Sequence, residues 1–508
     1  MKGGCLVAAD VGGGATKVAA FTTKGRLLGR GRVNYRPTQP SPGVAEYDAD
    51  QLCTSVLNAL AQLGSRTDLA RAEVVAVDAM VSGAVAVDGA AAPISPYTTN
   101  MDTRANRQLS PMLQRHGADI LRLTGSTQPT LASKIAWIRE DFSEIARNAA
   151  KYVTAGGLVT GFLSGHSAED LVIDPTCLWS TGLSDALGEC WSPELCAYLD
   201  VSVDELPRIA QSTEVVGHVT SAVAGRTGLR SGTPIVAGCG DGPAGLLGAG
   251  AARIGKVAEV TGTYGSVTCT TAEFNPGVTG DAATFAASVT PGLWTVHRVF
   301  LGSGLTRQWA SELFGTTGRA AGLGARTLDE AASHIEVGSD GLFFVPHLGG
   351  QMYPVRPHLR GSWLGLTWAH GRGHLYRSLL EALAYEVELS LQVMVLACPD
   401  SRDTEAITLF GGGSRSELWN QIRSDVVGKP YESLGYGPIT EMGAALLGGQ
   451  GVNLVDNPSE TAISRRQVSH RYSPNSEHHS KYAELVRRYK VCVESTSTLY
   501  QDLNRPRP

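Results

Sequence analysis

Residues Val236 to Gly250 read VAGCGDGPAGLLGAG, an apolar strand-like run that ends in a glycine-flanked carboxylate, Asp241, ahead of a helix of small residues. A single acid held at a strand end by permissive backbone is suited to act as a catalytic base. Taken alone, an Asp between glycines is more often a turn residue, because Asp tolerates turn geometry and glycine supplies positive φ. The segments on either side decide between these two readings.

At 508 residues the chain exceeds what one hydrophobic core usually serves, so two domains are expected. A hydrophobic fraction of 43% and a charged fraction of 18% are those of an ordinary globular protein, and a net charge of -5 offers no basic footprint for nucleic acid. The nine cysteines form no CxxC pair, which points to reduced thiols in a cytoplasmic protein. The opening MKGGCLVAAD has too short an apolar run for a secretory signal, and no stretch approaches the ~20 apolar residues of a membrane span. A cytoplasmic location and no membrane contact are therefore expected.

Near the N-terminus, Cys5 to Ala9, Lys17 to Phe21 and Leu27 to Val33 are β-like, and their short connections join only antiparallel neighbours. A helix from about Asp50 to Leu63 and a strand from Val74 to Ala79 follow, giving an alternating α/β pattern. The strand, glycine turn, strand unit recurs at Val257 to Val260, Thr261 to Gly265 and Ser266 to Thr270. This repetition suggests two related domains with a boundary and a helical hinge near residues 246 to 256. Further on, Ala406 to Phe410 reads as a buried strand, and Ser416 to Val427 and His374 to Leu396 as helices. From about residue 456 the chain turns polar and basic, and it reads as a surface appendage closed by a helix from Tyr482 to Leu503.

Three glycine turns carry the chemistry. Asp10-Val11-Gly12-Gly13-Gly14-Ala15-Thr16-Lys17 is a hairpin tip whose backbone N–H groups suit phosphate, with Lys17 as added charge and Asp10 placed to hold Mg²⁺ directly or through water. Thr261-Gly262-Thr263-Tyr264-Gly265 has the same permissive backbone and a Thr263 hydroxyl. Gly411-Gly412-Gly413-Ser414-Arg415-Ser416 lies between a strand and a helix, where a helix N-terminus accepts a nucleotide closely. Each alone is compatible with a plain turn; together they indicate a bipartite nucleotide site between domains.

With AGCGDGPAGLLGAG, the segment Phe410 to Pro430 (FGGGSRSELWNQIRSDVVGKP) and EMGAALLGG, the chain resembles the FGGY carbohydrate kinases over roughly residues 5 to 450. The resemblance implies an α/β fold of two actin/hexokinase-like (ribonuclease H-like) domains around an active-site cleft. The expected divisions are a sugar-binding and first phosphate-loop domain over 1–248, a nucleotide-binding domain over 249–455 and an appendage over 456–508. It further implies Asp241 as the catalytic base, Asp10 as the Mg²⁺-organising carboxylate, and Gly12, Gly13 and Lys17 in the first phosphate loop. Gly262 and Thr263 match the second loop, Gly304 and Gln308 a nucleotide-contacting turn, and Gly412 with Ser416 the adenosine motif. On the acceptor side, Asp102 and Arg104 in NMDTRA match the family's W-x-D-x-R segment, and Ser82 and Gly83 the substrate loop.

The implied activity is ATP- and Mg²⁺-dependent phosphorylation of a terminal hydroxyl of a small ketose or polyol, a xylulose-like pentulose first. A homodimer is a family expectation. Gly13, Gly14 and Ala15 replace the hydroxyl residues usual in the first loop, Ala79 to Gly83 depart from the Gln-Met-His-Gly stretch of xylulokinases, and Asn100 stands where the family has Trp. Asn-x-Asp-x-Arg also occurs in kinases for autoinducer-2, which keeps that linear substrate as an alternative. A non-catalytic sugar or nucleotide sensor is a second alternative, opposed by the retention of Asp10 and Asp241. A filament-forming or chaperone ATPase is opposed by the sugar-kinase signature.

Overall fold

The computed structural model describes all residues except 1–3, 42, 263, 301, 315–320, 436 and 504–508. The N-terminal apolar runs form antiparallel strands β1 (Cys5–Val11), β2 (Ala15–Phe21) and β3 (Leu27–Asn34). Strands β4 (Ala72–Ala79), β5 (Val215–His218) and β6 (Pro234–Gly240) complete a six-stranded sheet in the order β5-β6-β4-β1-β2-β3. In it β4 runs parallel to both β1 and β6. The period-two alternation of β1 sorts its side chains between two cores. Val7, Ala9 and Val11 pack under α1 (Ala49–Gly64) and α2 (Ala155–Ser164), whereas Leu6 and Ala8 face the other way. Asp48 starts α1 by accepting the N–H groups of Asp50 and Gln51, which have no partner inside the helix. Strand β6 runs directly into α3 (Asp241–Gly248).

The second half repeats the plan. Strands β7 (Val257–Thr261), β8 (Gly265–Thr271), β9 (Thr284–Ala287), β10 (Trp294–Phe300), β11 (Ile407–Phe410), β12 (Tyr431–Ser433) and β13 (His470–Tyr472) lie in the order β9-β10-β8-β7-β11-β12-β13. β7 is antiparallel to β8 and β8 to β10, while β7 pairs parallel with β11 and β11 with β12. Both sheets thus contain an antiparallel three-strand meander whose first strand continues into two parallel strands, which is the actin/hexokinase-like duplication.

Around the second sheet lie α4 (Ser303–Leu313), α5 (Arg372–Ala397), α6 (Glu417–Val427), α7 (Ile439–Gly451) and α8 (Ser476–Leu503). Helix α7 follows the second sheet in sequence, yet its Ala444, Ala445 and Leu447 pack on Leu6, Ala8, Val74 and Ala76 of the first sheet, in one core with Leu246 and Leu247 of α3. α3 and α7 approach backbone to backbone. A Cβ added to Gly443 would lie 1.9 Å from the Ala244 carbonyl oxygen, and one added to Gly248 1.9 Å from that of Ile439. The helix ends at Gly248, so the stretch expected as a helical hinge, 246 to 256, is helical only at its start.

Two sequence expectations change here. Residues beyond 456 are not a surface appendage: β13 extends the second sheet beside β12, and α8 buries Tyr482, Tyr489 and Val493. Their hydroxyls donate to two carboxylates buried on α5, Tyr482 to Glu381 at 2.9 Å and Tyr489 to Glu386 at 2.7 Å. The polar composition belongs to the remaining faces of α8 and hides this stripe. The thiols are also not all reduced, since Cys269 of β8 and Cys398 just past α5 are joined in a disulfide.

Gly443→Ala is expected to overpack the α3–α7 contact and destabilise the fold by about 1–3 kcal/mol. Thermal unfolding should show a lowered midpoint; an unchanged midpoint would mean that the helices separate without cost.

Candidate active site

The three glycine turns converge on a cleft of about 1140 Å³ between the two sheets, room for a nucleotide and a small acceptor together. Gly12, Gly13 and Gly14 line it at the β1–β2 hairpin. Tyr35 Oη donates to the Gly12 carbonyl at 2.7 Å and Tyr47 Oη to that of Gly13 at 2.6 Å, fixing these carbonyls on the protein side. A Cβ on Gly14 would meet nothing within 4 Å, so the space beyond the turn is open.

Across the cleft, the Gly304 N–H donates to the Gly262 carbonyl at 3.0 Å, tying the N-terminus of α4 to the second turn. The third turn lies against the same place. Gly411 has φ of +101°, and a Cβ on Gly413 would come within 2.8 Å of the Thr261 Cβ. Glycine is required at both positions, by backbone conformation at one and by close approach at the other.

The centre of the cleft is acidic. Asp10 and Asp78 are register partners on the parallel strands β1 and β4, so their carboxyls stand side by side on the face covered by α7. Glu441 extends from the first turn of α7, and Asp241 opens α3. Lys17 pairs with Asp10. Burial disfavours the lysine's charge, but the Asp10 carboxylate, with Glu441 behind it, outweighs burial and the net shift is upward. Asp78 is fully buried, and neither of its oxygens is hydrogen-bonded among the described residues. Burial first, then Asp10, Glu441 and Asp241, push its carboxyl well above the usual range. The same causes, burial ahead of Asp10, raise Glu441 to about 7 and Asp241 to about 6. The N–H of Gly242 donates to Asp241 Oδ1 at 2.8 Å and Lys17 lies near, yet neither offsets desolvation.

Elsewhere on the cleft wall lie Ser82, Asn100, Met101 and Trp179, and Trp179 packs edge-on against His297 of β10, ring centroids 5.0 Å apart. Burial pulls His297 down to about 4, so its imidazole is neutral. Asp102, expected to bind sugar hydroxyls, is off the cleft wall and saturated by its own neighbours. Its Oδ1 accepts from the Arg104 N–H at 3.1 Å and from Lys134 Nζ at 3.4 Å; its Oδ2 accepts from the Ala45 N–H at 3.1 Å and Arg104 Nε at 2.9 Å. Arg104 is likewise engaged, pairing with Glu46 and lying 4.5 Å over the Trp137 ring. Burial lowers Lys134 to about 8 against the pull of Asp102.

Of the residues expected in the site, Asp10, Gly12, Gly13, Lys17, Ser82, Asp241, Gly262, Gly304 and Gly412 line the cleft. Thr263 lies outside the described residues. Gly83 sits in a strand, where an added Cβ would come 2.2 Å from the Tyr97 hydroxyl. Gln308 turns away, donating to Glu312 at 3.0 Å. Ser416 caps α6 through the Trp419 N–H and donates to Asp329 at 2.8 Å. Asp78, Glu441, Trp179 and His297 escaped the sequence reading. Only Asp78 carried a signal, as the one charged residue in the apolar run Val74 to Ala79.

Two expectations follow from these environments. Asp102→Asn leaves Lys134 buried without its counter-charge and should cost roughly 3–5 kcal/mol, read as a lower denaturation midpoint; a raised acceptor KM at unchanged stability would instead place Asp102 on the substrate. Asp241 is raised from 3.8 to about 6, so its ionised form is penalised in the fold above about pH 6, and the penalty disappears below 3.8. Asp241→Asn should therefore unfold at higher temperature than the parent at pH 7.5, with the difference shrinking as pH falls.

A family model described as the FGGY family of carbohydrate kinases, N-terminal domain, matches residues 5–248, and the corresponding C-terminal domain matches residues 258–451. The chain is 27% identical over 497 residues to a gluconokinase of Bacillus subtilis (strain 168), covering 95% of this chain and 94% of that protein. It is 28% identical over 509 residues to an autoinducer-2 kinase of Klebsiella pneumoniae subsp. pneumoniae, covering 96% and 93%. The fold is similar to that of a ligand-bound xylulose kinase from Lactobacillus acidophilus, with a TM-score of 0.87 at 21% identity over 98% of this chain and 100% of that one. With both halves matched by their models and both sheets built on one plan, the chain belongs to the FGGY family of carbohydrate kinases.

Proposed function

We propose that this carbohydrate kinase transfers the γ-phosphoryl group of ATP to a terminal hydroxyl of a small ketose or polyol, with a xylulose-like pentulose as the first candidate. The observation that carries this reading is the position of Asp241. Its carboxyl stands on the cleft wall together with the phosphate turns and the Ser82, Asn100 and Trp179 wall, and its pKa of about 6 leaves it ionised but basic at neutral pH. Asp241 takes the proton of the attacking hydroxyl. The N–H groups of the first two turns and the Lys17 ammonium bind phosphate oxygens, and closure of the cleft keeps water from competing as acceptor.

The donor set suits Mg²⁺. Asp10 presents hard oxygens on the cleft wall with Asp241 and Glu441, and these acids outnumber the nearby Lys17; Asp78 lies beside Asp10, buried behind the wall. Mg²⁺ characteristically takes one or two protein carboxylates and keeps waters and phosphates as its remaining ligands. Asp10 would hold it, and when bound it would neutralise charge on the transferring phosphates.

Relatives acting on gluconate and on autoinducer-2, and Asn100 at the acceptor wall, make those compounds the alternative acceptors. Mg·ATP with a panel of pentuloses, hexuloses, polyols, gluconate and autoinducer-2 should release ADP with at least one acceptor. Asp241→Ala should lower kcat by about 10²- to 10⁴-fold, and the rate should fall on the acid side with a midpoint near the Asp241 value of about 6. Binding without acceptor-dependent ADP release across the panel would favour a sensor.

A further inference from the structure

Strand β6 does not reach Asp241 by a regular path. Its pairing with β4 shifts register between Val236 and Cys239, and Gly238 takes φ of +78° where a Cβ would lie 1.8 Å from the Val77 carbonyl oxygen. The bulge re-aims the last residues of the strand, and something must then hold the peptide that leads into the base. That hold comes from a separate segment. The Gly240 N–H donates to Thr176 Oγ1 at 2.9 Å, and Thr176 Oγ1 donates to Asp174 Oδ1 at 2.5 Å. The same Asp174 oxygen accepts the Thr176 N–H at 2.9 Å and lies 3.5 Å from Ser212 Oγ.

Both residues are buried, Thr176 at 0% and Asp174 at 6% exposure. A hydroxyl in this position uses its single proton toward the carboxylate, so its lone pair is presented to the Gly240 N–H. Asp174 also starts the short 3-10 helix Pro175–Ser180, which carries Trp179 to the acceptor wall. One carboxylate therefore anchors the strand that ends at the base and the turn that holds the acceptor's aromatic neighbour.

We propose that Asp174 and Thr176 are positioning residues for phosphoryl transfer, holding the Gly240 peptide so that the Asp241 carboxyl faces the acceptor hydroxyl. The inference rests on Asp241 as the base. Neither side chain needs to touch substrate; their effect is transmitted through one peptide group. Loss of alignment by about 1 Å costs on the order of 10²-fold in rate.

The test separates hydroxyl from packing. Thr176→Val keeps the shape and the Thr176 N–H that caps the Trp179 turn but removes the acceptor for Gly240. It should lower kcat about 100-fold with the acceptor and nucleotide KM values unchanged. Thr176→Ser, which keeps the hydroxyl, should stay within about threefold of the parent. Asp174→Ala releases both segments and should lower kcat and raise the acceptor KM together. Thr176→Val with parental kcat overturns the proposal, as does Thr176→Ser falling as far as Thr176→Val, because packing alone would then explain the loss. Circular dichroism and the thermal midpoint verify that each variant is folded. If Thr176→Val is not recovered folded, the serine and Asp174→Ala variants decide: parental kcat in Asp174→Ala or a 100-fold loss in Thr176→Ser overturns it. Asp241→Asn runs alongside. Undiminished turnover in that variant refutes the base itself, whereas its loss together with a fully active Thr176→Val refutes only the positioning role.

Discussion

Everything in this molecule hangs on the contact between α3 and α7. Gly248 and Gly443 let the two backbones touch where any side chain would strike a carbonyl oxygen. Because α7 belongs in sequence to the second half but packs on the first sheet, that contact joins the halves through a shared core that includes Leu6, Ala76, Leu247 and Leu447. It also aims the chemistry. α3 opens with Asp241 and the first turn of α7 carries Glu441, so the geometry that closes the seam also sets two carboxyls beside Asp10 and Asp78.

Bringing those acids together is electrostatically unfavourable. Burial and mutual repulsion raise Asp78, Glu441 and Asp241 above ordinary carboxyl values, while Lys17 gains strength as the counter-charge. Such a centre is held in place by the surrounding fold. The carboxyl of Asp241 is raised to about 6 by the same burial. Another part of the cleft wall follows a different logic, with the neutral His297, Trp179, Ser82 and Asn100 lining it and the charged Asp102, Arg104 and Lys134 engaged in a network of their own.

Much of the fold was legible because its signals are local. Short continuous apolar runs marked β1, β4, β7 and β11, and glycine clusters marked the turns that follow them. The repeat of strand, glycine turn and strand in each half exposed the duplication. The misreadings share one cause, that the partner of a residue lies far away in sequence. α8 looked like a polar appendage because Tyr482 and Tyr489 meet their carboxylates on α5, about a hundred positions upstream. Asp102 was singled out by its match to the family segment, and its contacts with Lys134 and Ala45 join residues far apart along the chain.

Composition, periodicity and the three glycine turns by themselves determined the duplicated α/β plan, the backbone turns that line the cleft and Asp241 as the residue to watch. Backbone permissiveness and strand alternation are properties of short segments, so they survive in one dimension. The tertiary structure alone decided which carboxyls share the cleft, which are neutralised by their own arginine and lysine, and how Thr176 and Asp174 reach the peptide before the base. Those outcomes depend on burial and on contacts between distant strands and helices, and desolvation has no meaning until the chain has closed around the group.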